Sequence, residues 1–324
     1  MKEERAALLA RDEDVYDVLS DGEVFADLYN GALFDGQQII RPERLKQENE
    51  KKLTEALDRN GTKIILKKER DVEKSAIFEK RRLAVMLAVE GQRLVHYGMP
   101  VRSIIYDILD YFRQIEKLTQ RHKFRRDLKG SAEYLSGLKK GDKLLPVVTL
   151  VLHYGEDQKW DGPLSLHDML AIPEELRDYK NCIPDYRINL VSSRTVKSEN
   201  FRTGLREVFE LLPLLKDKEG MKKYLEEKKE HYSHLEPKRS WVIGKFINIP
   251  SLKNLDKEEE GEVNMCTAIE EMIEDGRNEG IGRGEERVNR LNQILILQSR
   301  YEDLCRAAND KEYQQKLFHE CNIV

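Results

Sequence analysis

The chain of 324 residues reads as a mixed α/β protein with a helical C-terminal extension. Three observations predict this class. Two continuous apolar runs of strand length, Leu83–Val89 and Leu144–Leu152, have the composition of central strands covered on both faces. Between them, Val101, Ile104, Ile105, Ile108, Leu109, Phe112 and Ile115 recur at helical spacing. After residue 250 the apolar runs give way to charged, helix-forming sequence. The expected organisation is a body over 1–250, followed by a charged linker and acidic helical tail over 251–324.

The elements follow in chain order. Ser20-Asp21-Gly22-Glu23 opens a helix, with Ser20 as N-cap and Glu23 completing a capping box. Val24, Phe25, Leu28, Tyr29, Ala32 and Leu33 carry it to Phe34-Asp35-Gly36. Residues 41–60 are polar and read as irregular or weakly helical. Asn60-Gly61 marks a turn, Lys63–Leu66 a strand, and Arg70–Lys80 is compatible with extended backbone. Then come the strand at Leu83–Val89, the helix after Met99-Pro100 and the strand within Leu144–Leu152. A short helix is expected at Leu164–Leu170, a short strand at Tyr186–Val191, and helices at Phe201–Leu215 and Met221–His231. Lys253–Gly261 is a charged linker candidate. A helix over Met265–Asp275 meets Gly276, Gly280, Gly282 and Gly284, a density that weakens helix and predicts a flexible joint or degenerate repeat. Helix resumes over Arg287–Cys321.

Composition bounds the function. At 40% hydrophobic the chain can build a core, and its apolar runs are too short to cross a bilayer. Its charged start lacks the apolar segment of a signal peptide, so a cytoplasmic protein is expected. Cys182, Cys266, Cys305 and Cys321 form no CxxC pair, which argues for reduced thiols over zinc or disulfides. Residues 251–324 hold ten Lys/Arg against seventeen Asp/Glu, a balance of −7. Of the overall −4, the body therefore keeps +3. Glycines 280, 282 and 284 follow a helix and no GK[ST] is present, so no nucleotide cofactor is expected.

Asp71 stands before one extended segment, and Glu90 ends the apolar strand that follows. Magnesium or manganese takes oxygen ligands, commonly one or two carboxylates plus substrate phosphate. Asp71, Glu90 and the backbone carbonyl of Gly91 form such a set if neighbouring strands bring them together. Gln92 shares the strand parity of Glu90 and is placed to orient water or phosphate. On spacing alone, the two acids are two among sixty and read as surface charges. Glu90 is the less comfortable there, because a carboxylate straight after seven apolar residues sits at a core edge. Seven Lys/Arg lie between Arg113 and Lys129, against two acids. Arg113, Lys117, Arg121, Lys123, Arg125 and Arg126 are therefore candidates for a DNA phosphate track, or for a solvated helix end. His153, Asp161, His167 and Asp168 have metal-ligand composition, but Pro163 and the Leu166/Leu170 spacing suggest structural roles.

Several short motifs occur in a telling order: Arg70-Asp71-Val72, the strand into Glu90-Gly91-Gln92, and Met99-Pro100-Val101-Arg102 with Tyr106-Asp107. Pro146-Val147-Val148-Thr149-Leu150 and Trp160-Asp161-Gly162-Pro163 with Leu166-His167-Asp168-Met169-Leu170 follow. Together, over about residues 20–215, they resemble the Rpn-type recombination-promoting nuclease/putative transposase family of the PD-(D/E)XK superfamily. The resemblance implies a restriction-endonuclease-like mixed sheet flanked by helices and magnesium-dependent DNA cleavage in the bacterial cytoplasm. It implies Asp71 and Glu90 as the catalytic, metal-binding acids, Gln92 at the usual lysine, and an acid on the first helix, with Glu23 or Asp27 as candidates. Glu23 is better explained by the capping box. Gln92, Arg70 in place of a proline and Gly91 in place of a bulkier residue depart from the pattern. A double-strand cut would favour a homodimer. The alternative reading is an inactive DNA-binding or protein-interaction module that keeps the fold.

Overall fold

A five-stranded mixed sheet organises the first part of the chain. In the computed structural model, residues 12–48, 51–57, 63–69, 71–78, 83–155 and 159–323 are described. The Asn60-Gly61 turn and Arg70 lie outside them. The chain divides into two compact units, Met1–Val263 and Asn264–Val324.

In the first unit, residues 12–20 form helix α1 and Gly22–Leu33 helix α2. The strands are β1 (Leu45–Gln47), β2 (Lys51–Leu57), β3 (Lys63–Glu69), β4 (Val72–Phe78), β5 (Leu83–Gln92), β6 (Val147–His153) and β7 (Asn189–Val191). The sheet order is β1-β4-β5-β6-β7, while β2 and β3 pair as a separate antiparallel ribbon. β4 runs antiparallel to β1 and β5, whereas β5, β6 and β7 are parallel. Helix α3 (Met99–Arg125) makes the crossover from β5 to β6 and is followed by α4 (Gly130–Ser136). Helices α5 (Leu205–Leu211), α6 (Lys218–Glu227), α7 (Lys229–Ser233), α8 (Pro237–Ile247) and α9 (Pro250–Lys253) complete the unit. Among the described residues, no helix is long and apolar enough to cross a membrane.

Strand alternation gives the sheet two different faces. Val72, Ala76, Leu87, Val89, Leu150 and Leu152 are buried on the α2 side, where Phe25, Leu28 and Tyr29 are buried too. Glu73, Ser75, Glu90 and Thr149 are buried on the α3 side. The sequence locates α3 correctly, but only part of its apolar stripe is buried. Leu109 is buried, Val101, Ile108 and Phe112 are exposed, and Ser103, Tyr106, Asp107 and Asp110 are buried beside Leu109. Hydrogen bonds account for this orientation. The Thr149 hydroxyl donates to Asp107 at 2.6 Å, as does the Tyr186 phenol at 2.6 Å. Gln114 exchanges two bonds with the Leu145 backbone at 2.6 and 3.1 Å. At the far end of α3, His122 bonds Asp127 at 2.7 Å and Asp142 at 2.9 Å. Lys139, then His122, hold the Asp127 carboxyl down to about 2.

Two local expectations are corrected and one helix was missed. The α2 N-cap is Asp21 rather than Ser20, its carboxylate accepting from the Glu23 and Val24 amides at 3.0 and 3.2 Å. Ser20 instead ends α1, donating to the Tyr16 carbonyl. Residues 41–60, read as irregular, contribute β1 and β2, because cross-strand pairing with β4 and β3 supplies what the polar sequence lacks. Helix α8 was not expected, although Trp241, Val242, Phe246 and Ile247 bury its inner face. Within the first unit, Leu235 and Val263 form a bridge and Lys257 reaches Asp21 at 3.2 Å.

The second unit consists of α10 (Met265–Leu297), α11 (Tyr301–Asn309) and α12 (Lys311–Glu320) around Leu291, Leu295, Ala307, Leu317 and Phe318. Helix α10 runs unbroken through Gly276, Gly280, Gly282 and Gly284, so the expected joint there is corrected as well. Each glycine costs about 1 kcal/mol relative to alanine. The Glu and Arg residues interspersed among them are good helix formers, and the helix spans the whole glycine segment.

Candidate active site

Asp71 and Glu90 flank the end of one strand pair. β4 and β5 pair as far as Val72 with Val89, and Asp71 and Glu90 are the residues just beyond that pair along the chain. The Arg102 guanidinium interacts electrostatically with both carboxylates. The Gly91 amide donates to Asp71 Oδ2 at 2.6 Å, which fixes that carboxylate at the end of β5. Glu90 is fully buried. Its Oε2 lies 3.5 Å from a terminal nitrogen of Arg102, in the first turn of α3. Arg102 Nε donates to the Tyr106 hydroxyl at 3.3 Å, with the guanidinium 5.6 Å from that ring. Burial pulls the Arg102 pKa down, but Tyr106, Glu90 and Asp71 together outweigh it and hold the group firmly charged. Burial, followed by Glu90, pushes the Tyr106 phenol up.

Asp71 and Arg102 border a cleft of about 440 Å³, with Glu90 and Tyr106 outside its lining. Asp71, Gly91, Gln92 and Arg102 contribute to its wall, together with Asp12 and Tyr16 of α1, His96 and Tyr154. Two glycines shape it. A Cβ on Gly155 would stand 2.0 Å from the Arg93 carbonyl oxygen, so this close approach of the β5 and β6 ends needs glycine. A Cβ on Gly91 would make ordinary contacts, 3.4 Å to the Tyr154 ring and 3.5 Å to Asp71 Oδ2. Tyr154 thus fills space that a larger residue at position 91 would occupy.

Sequence reasoning missed Asp12. It stands on α1, lines the cleft and accepts from the Tyr154 hydroxyl at 2.5 Å. Asp14 anchors α1 through Lys245 at 2.9 Å and through Lys253. The available signal was Val15, Val18 and Leu19, an apolar i, i+3, i+4 pattern directly after Asp12. The two first-helix acids weighed from sequence face elsewhere. Glu23 pairs with Lys238 at 2.6 Å, and Asp27 accepts from the Arg202 and Thr203 amides and the Thr203 hydroxyl. Neither borders the cleft.

A hard divalent cation is tested by the donors present. Asp71, Glu90 and the Gly91 carbonyl are all oxygen ligands, and two carboxylates suffice when phosphate and water complete the shell. In chemical type the set fits. In this conformation Gln92 Nε2 donates to the Gly91 carbonyl at 2.7 Å, and Arg102 stands against Glu90. Among the described residues, no three His, Cys, Asp or Glu side chains form a metal-holding group. The His153, Asp161, His167, Asp168 set is dispersed. His153 bonds the Gln92 carbonyl and His167 the Ile183 carbonyl, while Asp168 accepts from the Leu164 and Ser165 amides.

The basic residues divide. Arg113, Lys117 and Arg121, four apart on α3, line one groove of about 690 Å³ with Lys46 and Lys143 over buried Glu73 and Asp110. Lys123, Arg125 and Arg126 are exposed and lie outside that groove. No protein-family model, no curated protein and no solved structure matches the chain.

Proposed function

We propose that the chain is a magnesium-dependent DNA endonuclease on a restriction-endonuclease-like core, of the recombination-promoting nuclease/putative transposase type. The observation that carries this reading is that the β4–β5 register ends beside Asp71 and Glu90, that Arg102 interacts with both acids, and that Asp71 and Arg102 line a cleft with Asp12 and Gln92. The mixed sheet with an antiparallel β4–β5 pair and the α3 crossover to parallel β6 is consistent with such a core. Asp71, Glu90 and the Gly91 carbonyl are the groups that would hold the cation. When bound, it supplies charge neutralisation at the phosphoryl group and an acidified water nucleophile.

The remaining work falls to the chain's own residues. The Gly91 amide aims the Asp71 carboxylate by donating to its Oδ2. Gln92 hydrogen-bonds the attacking water or a phosphate oxygen once its amide leaves the Gly91 carbonyl. Arg113, Lys117 and Arg121 follow Arg102 along α3 by 11 to 19 residues. At 1.5 Å per residue that is about 16–28 Å, or about five to eight steps of a DNA strand. This length suits backbone contacts on one side of the cut, which fix position rather than sequence.

The test is plasmid cleavage by the purified chain in magnesium or manganese. The parent is expected to nick or linearise the plasmid. Asp71→Ala and Glu90→Ala should each lose about 10²–10³-fold in rate, the worth of several kcal/mol of charge stabilisation. Equal cleavage by parent and variants would sink the assignment. One observation favours a second reading: the Gln92 amide covers the carbonyl that a cation would need. An inactive DNA-binding or interaction module predicts DNA retention without cleavage, and no heat of metal binding in calorimetry.

A further inference from the structure

Gln92 brings an amide to the cleft where the chemistry of a phosphodiester calls for a cation. Arg102 meets that need from the other side. It enters from the first turn of α3 and lines the same cleft as Asp71, Gly91 and Gln92. Two contacts set its plane: Nε on the Tyr106 hydroxyl at 3.3 Å and a terminal nitrogen on Glu90 at 3.5 Å. A guanidinium carries five N–H donors in a rigid fork, so these contacts leave most of its donor capacity for a ligand. The fork matches two phosphate oxygens at once, which neither an amide nor an ammonium does. The Arg102 side chain is 29% exposed and Glu90 fully buried, so the pair is graded from core to cleft. Arg102 is thus held by the acid beneath it, with its outer edge toward the space a substrate would enter.

We infer that Arg102 is the phosphate-binding cation of this cleft, taking the non-bridging oxygens of the scissile phosphodiester in the role that Gln92 cannot fill. This rests on the nuclease reading. Glu90 then serves twice, as cation ligand and as the anchor that aims Arg102. No bond is made or broken by Arg102. It offsets the charge that grows on the phosphoryl oxygens while water attacks and the leaving oxygen departs.

The test compares the parent with R102M and R102K in two assays. One is anisotropy of a labelled DNA duplex in EDTA, which reads phosphate affinity without metal. The other is plasmid cleavage in magnesium. R102M should bind the duplex about 10- to 100-fold more weakly, the worth of one charge-assisted contact, and cleave about 100-fold or more slowly. R102K keeps a positive charge beside Glu90 and so guards against misfolding; it should fall between the two, because it lacks the fork. If both variants melt like the parent, bind equally and cleave equally, Arg102 is only a strut for Glu90 and the inference fails while the nuclease reading stands. If the parent itself does not cleave, the nuclease reading fails and takes this inference with it.

Discussion

Leu150 and Thr149 are adjacent on β6 and point to opposite faces of the same sheet. Leu150 enters the α2 side, where Val89, Leu152 and Phe25 are also buried. Thr149 enters the α3 side, where Glu73, Glu90, Asp107 and Asp110 are buried. The first face gains free energy from every methylene it hides, about 0.8 kcal/mol each. The second pays desolvation for every carboxylate, and recovers it only through good partners. A domain that sought stability alone would make both faces apolar. A buried acidic layer kept beside a cleft therefore points to use rather than to folding.

The most disruptive way to probe the contrast is Leu150→Ala. On the dry face it removes buried carbons and leaves a cavity, so a loss of about 2–5 kcal/mol in unfolding free energy is expected. Because Leu150 faces away from Glu90, cleavage per folded molecule should be unchanged. Chemical denaturation and rate measurements on the same sample check both halves. A stability loss below 1 kcal/mol would mean that the α2 face is not the main store of stability.

Thr149→Val makes the matching change on the wet face. Its shape is nearly conserved, but the 2.6 Å hydroxyl bond to Asp107 is lost, while the Tyr186 phenol still donates to the other oxygen of that carboxylate. A buried acceptor deprived of its donor costs about 1–3 kcal/mol. Thermal unfolding should show that smaller loss. A neutral result would mean that water replaces the hydroxyl, and that the α3 face is wetter than its burial suggests.

This two-faced design explains what the sequence could and could not reveal. Apolar runs of strand length announced β5 and β6, and helical spacing announced α3, because those signals are local. The side that α3 buries was not legible. Its apolar stripe, with Val101, Ile108 and Phe112, is the more hydrophobic face, yet Asp107 and Arg102 turn inward to partners 42 residues ahead and 12 residues behind. β1 and β2 were hidden because their strand character comes from pairing. Asp71 and Glu90 were proposed from motif order, and the β4–β5 register ends at the residues beside them, Val72 and Val89. The helix of Asp12 was legible in Val15, Val18 and Leu19, but a cleft-facing acid on a charged helix looks like any other surface acid.

Gly91 is the finest probe, because it sits where the two faces meet the cleft. Its φ is not in the left-handed region, so alanine adopts its backbone without strain. The added Cβ would touch the Tyr154 ring at 3.4 Å and Asp71 Oδ2 at 3.5 Å, both ordinary van der Waals distances. Gly91→Ala should thus gain about 0.4–1 kcal/mol by restricting the unfolded chain. Glu90 lies on the opposite side of β5 from that Cβ, so its ion pair with Arg102 is untouched and only Asp71 is met. If melting rises slightly and cleavage holds, the space beside Asp71 is only packing. If melting rises and cleavage falls, that space is where water or phosphate must stand, and the bare glycine is part of the site.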